Sequence, residues 1–214
     1  MLDSEMKLKE EAYPIPEEEY DRFKYKLEEK SNIFAERNLM IFYIGVATGY
    51  RTGDIVKLTI GDLRKFIAND KFTIQESKQY KEWLTHKKKH PNSLKKRPLP
   101  REVPLNKNLK ALLKNYVKNK NNSEYAFKSN KGNKYITQKS YSKILTEVGK
   151  ELGLENISGH SLRKTYAHRL YNWKNDVEYV RRALGHTSIE TTKRYLGLSK
   201  AVIREASEYM DDRI

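Results

Sequence analysis

The stretch "NIFAERNLMIFYIGVAT", residues 32–48, constrains the fold more than any other part of the chain. Its side chains are apolar on nearly every face of a helix, and Gly49 follows as a stop signal. Such a helix must be surrounded by other elements, so we expect it in the middle of the domain. A chain of 214 residues can bury a sizeable core. We therefore predict one main domain, residues 14–199, after a polar lead-in, residues 1–13.

Most other segments also have helical patterns. Residues 16–30 begin with proline and acids and end with lysine, the charge order that a helix dipole favours. Amphipathic helices are predicted in residues 105–119 and 136–154. From Ser158 to the C-terminus the pattern stays helical, and its breaks are predicted at Asn175, Gly185 and Gly197.

A small sheet is predicted in the middle of the chain. Residues 66–76 have β-branched and aromatic residues on both sides of a turn, which is typical of a hairpin, and residues 101–105 provide a later strand. Between them, prolines and charge predict an extended loop over residues 78–100. The predicted fold class is mostly α with a small antiparallel β-sheet, that is, α+β.

Charge indicates the kind of partner. Lys and Arg number 43 against 28 Asp and Glu, a formal charge of +15, which suits a polyanion. Long apolar runs and a signal peptide are not found, which favours nucleic acid over a membrane. The chain has no cysteine, so disulfides, thiolate catalysis and Cys-rich zinc sites are excluded. We expect a cytoplasmic location.

Two short motifs carry candidate chemistry in the C-terminal third. In "GHSLRKTYAHRL", His160 and Arg163 are spaced i, i+3, so one helix face presents both to the same small anion. In "LGHTSIETTKRYLGL", His186 and Tyr195 are nine residues apart and would point in opposite directions on one unbroken helix. Gly185 and a capping pattern at residues 187–190 predict a corner between two helices, which allows them to cooperate. Taken alone, each motif is also compatible with ordinary polar or half-buried residues.

A third motif lies upstream, in "ATGYRTGDIVKLTIGD". Arg51 leaves the core two residues after the glycine that ends the buried helix, and Asp54 follows three residues later. Placing a charged arginine at the edge of the core costs free energy, which is typical of an arginine that binds a ligand or an ion-pair partner. The alternative interpretation is a simple salt bridge from Arg51 to Asp54.

In this order and spacing, the motifs resemble the catalytic domain of the tyrosine recombinases, or phage integrases. The resemblance extends from about Pro14 to Leu198. It implies that Arg51 and Arg163 bind the nonbridging oxygens of a phosphodiester, as guanidinium forks can. It further implies that His160 assists the proton of the nucleophile Tyr195.

The resemblance also assigns the remaining members of the site. It implies that His186 hydrogen-bonds the same phosphate, and that a lysine in a turn between two strands protonates the leaving 5′ oxygen. Lys78 matches that lysine best, with Lys81 as the alternative. No metal or other cofactor is required, because the covalent link conserves the bond energy.

Some features depart from the family pattern. Gly159 stands where the family has a proline, and no N-terminal DNA-clamping domain is found, so the chain is either a fragment or a short form. The loop before the second strand is longer than usual. Its basic residues are expected to contact phosphates, although a solvated charge run is the alternative. They are Lys87, Lys88, Lys89, Lys95, Lys96 and Arg97.

The sequence thus predicts a site-specific DNA recombinase that forms a 3′-phosphotyrosyl intermediate on double-stranded DNA. Type IB topoisomerase-like relaxation and a noncatalytic DNA-binding module are the alternatives, and a metal nuclease is disfavoured because no carboxylate cluster is evident. Residues 200–214 are predicted to form a helix, with Ala201, Ile203, Ala206 and Met210 available for packing. The resemblance implies that this tail docks on a neighbouring protomer of a homotetramer; the alternative is a helix folded back on its own domain.

Overall fold

A computed structural model describes residues 11–211, without the side chains of residues 199–203 and 206. Most of the predicted lead-in therefore lies outside the described residues, as do the side chains of Ala201, Ile203 and Ala206. The chain forms helices α1 to α11 and strands β1 and β2. In chain order these are α1 Tyr20–Ser31, α2 Ala35–Thr48, α3 Thr52–Ile55, α4 Ile60–Ala68, β1 Lys71–Ile74, α5 Ser77–Lys89, β2 Arg101–Pro104, α6 Lys107–Tyr116, α7 Gln138–Glu151, α8 Gly159–Lys174, α9 Val177–Leu184, α10 Ile189–Tyr195 and α11 Leu198–Asp211.

Helix α2 lies at the centre of the fold, as its composition predicts. It packs against α1, α6 and α8, and Phe42 on α2 stacks on Phe23 of α1 with ring centroids 5.8 Å apart. Gly49 ends α2 in the left-handed region, at φ 64°, and a Cβ there would lie 2.4 Å from the Tyr166 ring. Only glycine fits this turn, which aims the chain toward Arg51.

The sheet has two antiparallel strands. Strand β1 pairs with β2 in a register that places Phe72 opposite Val103. The predicted strand at residues 101–105 and the predicted fold class are confirmed.

The predicted hairpin at residues 66–76 is wrong. Residues 66–68 are instead the end of α4, which a capping box between Thr59 and Asp62 starts and whose buried Leu63 and Phe66 face the core. Asn69 caps that helix and Asp70 turns the chain at φ 53°, so only β1 is a strand. Helical packing of the apolar residues therefore outweighs their β propensity here.

The predicted extended loop over residues 78–100 is also partly wrong. Its first half is the helix α5, whose side chains are all at least partly exposed. The second half returns along α5: the Trp83 indole donates to the Lys95 carbonyl at 3.0 Å, and Lys87 Nζ donates to the Ser93 carbonyl at 2.5 Å. We call residues 77–100 the basic arm. It carries eight Lys or Arg and one acid.

The C-terminal helices form a second, smaller packing unit. The small cluster of Ala167, Val180, Leu184 and Leu196 is separate from the main core. The predicted breaks are confirmed, because Asn175, Gly185 and Gly197 all have positive φ at helix junctions. None of the helices in the described part of the chain combines the length and apolar composition needed to cross a bilayer.

Candidate active site

An open cavity of about 1090 Å³ lies where the α2–α3 junction, the start of α8 and the α9–α10 corner meet. It brings together side chains that are far apart in the sequence. All six predicted catalytic residues line it: Arg51, Lys78, His160, Arg163, His186 and Tyr195.

Arg51 reaches the cavity because of the turn at Gly49. Its backbone is extended and precedes the short helix α3. Its Nη1 lies 2.8 Å from Glu76 Oε1 in an ion pair that lacks hydrogen-bond alignment. The alternative salt bridge to Asp54 is wrong, because Arg51 pairs with Glu76 instead; Asp54 Oδ1 accepts the backbone N–H of Ser77 at 3.2 Å.

Arg163 lies almost completely inside the protein, with 2% of its side chain exposed. Its Nη1 donates to the Gly49 carbonyl and to Glu76 Oε1, and its Nη2 donates to the Leu184 carbonyl, each at 2.7 Å. Burial lowers the pKa of Arg163, while Glu76 raises it. Arg163 thus joins the ends of α2 and α9 to the floor of the cavity.

His160 stands one helical turn before Arg163, as predicted. Ser158 caps α8 in a capping box with Ser161, and this places His160 in the first turn, exposed at the cavity wall. The two side chains therefore approach the same space from one helix end.

His186 occupies the predicted corner between α9 and α10. Gly185 ends α9 at φ 65°, and Ser188 caps α10 by accepting the N–H of Thr191. His186 Nδ1 lies 3.0 Å from Thr192 Oγ1. Burial, and then the charges of Arg163 and Arg51, lower the pKa of His186 to about 4. The ring is therefore neutral at neutral pH.

Tyr195 is the last residue of α10, and its ring meets the His186 ring edge to face at 5.4 Å. Its hydroxyl is buried and has no hydrogen-bond partner among the described residues. Burial raises the pKa of Tyr195 to about 12, although Arg163 and Arg51 pull it down. A buried hydroxyl without a partner is costly, which is typical of a group held for a function.

Lys78 lies on the first turn of α5 rather than in a turn between two strands. It is 67% exposed, and its Nζ lies 3.9 Å from Glu82. Lys81 also lines the cavity. A lysine at this position can swing over the cavity because little protein packs against it.

The six predicted DNA-binding residues lie in the last turn of α5 and in the segment that returns along this helix. Their neighbours hold them there: His86 Nε2 lies 2.9 Å from Ser93 Oγ, and the Arg97 guanidinium stacks over the Tyr80 ring. In the described part of the chain, none of the six forms an ion pair. They are Lys87, Lys88, Lys89, Lys95, Lys96 and Arg97.

Sequence analysis missed two members of the site, Glu76 and Arg101. Glu76 has 1% of its side chain exposed and lies beneath Arg51 and Arg163. Arg101 lies with its guanidinium over the Tyr50 ring and its Nε 3.8 Å from Glu76 Oε2. The guanidinium groups outnumber the carboxylate, so the floor of the cavity attracts an anion.

Comparisons with a family model and with individual proteins relate this chain to integrases and recombinases. The model of the phage integrase family matches residues 15–201. The chain is 30% identical over 171 residues to the probable integrase/recombinase YoeC of Bacillus subtilis, covering 80% of this chain and 83% of that protein. It is 28% identical over 200 residues to the tyrosine recombinase XerD of Oceanobacillus iheyensis, covering 89% of this chain. Of that XerD, however, the match spans only 59%.

Solved structures with the same fold include complexes with nucleic acid. The XerH site-specific recombinase in a post-cleavage complex with its difH substrate matches with a TM-score of 0.60 at 25% identity, over 94% of this chain and 54% of that one. The Tn1549 transposon integrase in complex with circular intermediate DNA matches with a TM-score of 0.63 at 16% identity, over 92% and 68%.

Proposed function

Because the chain belongs to the phage integrase family, we propose that it is a tyrosine-type site-specific DNA recombinase. It cuts and rejoins double-stranded DNA through a 3′-phosphotyrosyl intermediate. The observation that carries this proposal is the position of Tyr195, which lines the same cavity as two arginines and two histidines.

In the proposed reaction, Tyr195 Oη attacks the phosphorus of a phosphodiester. The bond from phosphorus to the tyrosine oxygen forms, the bond to the 5′ oxygen breaks, and the strand leaves as a 5′-hydroxyl. Attack by the 5′-hydroxyl of a partner strand then reverses these bonds and releases the tyrosine. Atoms and charge balance in both directions, and the chain's own residues supply every proton transfer.

Each residue of the cavity has a part in this step. Arg51 and Arg163 neutralise the charge that grows on the nonbridging oxygens of the pentavalent transition state. His160 accepts the proton of Tyr195, since the phenol is neutral in the free protein. His186 is neutral as well, and with Nδ1 at Thr192 it directs Nε2 to the phosphate.

The departing 5′ oxygen takes a proton from Lys78 in the proposed mechanism. A 5′-alkoxide is a poor leaving group, so a positioned donor accelerates its departure. The Lys78 side chain is 67% exposed and lines the cavity, which supports this role. Lys81 is the alternative donor on the same helix.

DNA is held around the cavity by charge. We assign phosphate contacts to the six basic residues of the arm between Lys87 and Arg97, which form no ion pair with the described residues. The relatives' complexes with DNA support this choice of ligand. A DNA substrate and a chain without cysteine also fit a cytoplasmic location.

Recombination joins two duplexes, and we propose that four protomers assemble on paired sites. Helix α11 follows the nucleophile directly and is exposed at Tyr209 and Met210. A helix so placed can dock on a neighbour and couple one active site to the next.

A nicked suicide duplex in EDTA tests the function. After cleavage, the short fragment between the cleavage site and the nick diffuses away. Rejoining is then impossible, so the covalent complex accumulates and migrates slowly in a denaturing gel. We expect an adduct for the natural chain, none for Tyr195→Phe, and an undiminished adduct for Tyr25→Phe, which alters an exposed tyrosine. DNA binding by Tyr195→Phe should be unchanged. An adduct with Tyr195→Phe would identify another nucleophile, and binding without any adduct would indicate a noncatalytic module.

A further inference from the structure

A single buried carboxylate lies under both catalytic arginines. Glu76 Oε1 accepts a hydrogen bond from Arg163 Nη1 at 2.7 Å and lies 2.8 Å from Arg51 Nη1. Its second oxygen has no hydrogen-bond partner among the described residues and lies 3.8 Å from Arg101 Nε. Three guanidinium groups therefore converge on one carboxylate.

The energetics of this cluster make Glu76 indispensable to its geometry. Removing a charge from water is costly unless an opposite charge compensates for it. Without the carboxylate, Arg51, Arg163 and Arg101 would face each other as buried like charges and would move apart. With it, the two catalytic guanidinium groups share one oxygen atom, and this fixes the distance between them.

Glu76 also lies at a junction that connects the parts of the site. It occupies the N-cap position of α5, two residues before Lys78, and its side chain makes no capping hydrogen bond. The next backbone N–H, of Ser77, donates to Asp54 on α3, and Gln79 Nε2 donates to the Gly185 carbonyl beside His186 at 2.9 Å. The segment that carries Glu76 is therefore fixed to both arginine-bearing and histidine-bearing elements.

We propose that Glu76 is a positioning residue that holds Arg51 and Arg163 in register for the phosphate before DNA binds. This inference rests on the proposed function, since it assigns the two arginines to the scissile phosphate. Arg51 Nη1 is buried against Glu76 without an aligned hydrogen bond, while 18% of the Arg51 side chain stays exposed in the cavity, where a phosphate can contact it. The site is thus preorganised, and DNA need not assemble it.

Glu76→Gln tests the proposal because the side chain keeps its shape and loses its charge. We expect the rate of covalent adduct formation to fall about 100-fold, as a displacement of about 1 Å of a catalytic group can cause. Glu102→Gln, which alters an exposed acid on β2, should leave the rate unchanged. DNA affinity should change little in either variant, because the arm lysines are intact.

A second substrate separates positioning of the arginines from a general loss of structure. A methylphosphonate at the scissile position replaces one nonbridging oxygen with a methyl group and removes the charge that the arginines neutralise. On this substrate the defects of Glu76→Gln and of Arg51→Ala should both shrink to a few-fold. An equal loss on both substrates would overturn the proposal, and so would natural activity of Glu76→Gln on ordinary DNA.

Glu76→Asp keeps the test decisive if the glutamine variant does not fold. It retains the charge and shortens the reach by one methylene, so we expect a folded protein with a defect that the methylphosphonate relieves. If Glu76→Asp folds and its defect is not relieved, the inference is wrong. If the natural chain itself forms no adduct, the proposed function fails instead, and the two failures are therefore distinguishable.

Discussion

His186 and Tyr195 share one buried environment, which shifts the pKa of each side chain. Burial disfavours the charged form of each, so it lowers the pKa of the imidazole and raises that of the phenol. The neighbouring arginines lower both values, which adds to the shift of His186 and opposes that of Tyr195. The free protein therefore presents two neutral groups to an incoming phosphate at neutral pH.

This shift predicts a pH dependence of stability. The pKa of His186 is about 4 in the folded protein and 6.5 ordinarily, so as the pH falls between these values the unfolded chain binds a proton and the folded chain does not. The contribution of His186 is complete above about pH 6.5 and is lost as the pH falls toward 4. Urea unfolding measures the free energy of unfolding across this pH range. We expect it to decline less steeply with falling pH for His186→Gln than for the natural chain. Parallel declines would contradict the pKa shift, and the exposed His90→Gln provides the control.

The proposed role of Lys78 concerns one atom of the DNA, the bridging 5′ oxygen, and can be tested there. Lys78→Ala should slow cleavage by about 10²–10⁴, since it removes the proton donor for the leaving oxygen. Sulfur in place of the bridging 5′ oxygen needs no proton to leave, so this substrate should restore cleavage by Lys78→Ala. Arg51→Ala should not recover comparably, because its role concerns the nonbridging oxygens. Rescue of Lys81→Ala in place of Lys78→Ala would assign the donor to Lys81.

For individual residues, the local spacing of the sequence predicted which side chains meet in the cavity. It did not predict the buried residues that hold those side chains in place. His160 and Arg163 follow from helix periodicity, and the corner between His186 and Tyr195 follows from Gly185. The partner of Arg51 does not follow, because Asp54 is the acid closest in sequence, whereas tertiary packing pairs Arg51 with Glu76. Glu76 is an ordinary acid at the end of a strand, and only tertiary packing reveals that it lies under the arginines.

Among the elements, the helices with a buried face were predictable and the basic arm was not. Helix α6 buries Leu109, Leu113 and Tyr116 at helical spacing, which the sequence displays directly. Helix α5 has no fully buried residue, so its pattern carries no apolar stripe, and its lysines and the following prolines resemble a loop. The contacts from Trp83 and Lys87 to the returning chain stabilise it in a way that no periodicity reports.

The proposed phosphate contacts of the basic arm predict how DNA affinity depends on salt concentration. Each phosphate contact contributes roughly 0.9 to the slope of log affinity against log salt, so neutralising four contacting lysines should reduce that slope by roughly 3.6. The variant replaces Lys87, Lys88, Lys95 and Lys96 with glutamine. Fluorescence anisotropy with labelled duplex at several salt concentrations measures the slope.

A control with the same change of net charge separates contact from bulk electrostatics. It replaces lysines on α1 and α7 that lie near Asp21, Glu29, Glu151 or Glu147. These are Lys24, Lys26, Lys30 and Lys143. Equal slopes for the arm variant and the natural chain would show that the arm is a solvated surface.

For the whole molecule, the tail tests how protomers assemble. Removing residues 200–214 deletes most of α11 and leaves every residue of the cavity in place. We expect cleavage of a suicide duplex to persist, while the complex on paired sites, measured by analytical ultracentrifugation, and strand exchange are lost. Ile33→Ser, at an exposed apolar residue outside α11, should keep both. Intact assembly and exchange without the tail would favour a helix folded back on its own domain.

In the proposed mechanism, Arg51 binds the phosphate from the main core, and Tyr195 attacks it from the small C-terminal cluster. Tyr195 packs on the small cluster, whereas Arg51 follows α2 from the main core. Small clusters open at lower free energy than large ones, so α9 and α10 should exchange their amide hydrogens sooner than α2 does. Arg163 and Arg101 act as latches on this unit, through the Leu184 and Ala183 carbonyls. In the proposed mechanism, the nucleophile is therefore carried by the smaller unit, and Arg163, which binds the phosphate, also holds that unit against the main core through the Leu184 carbonyl.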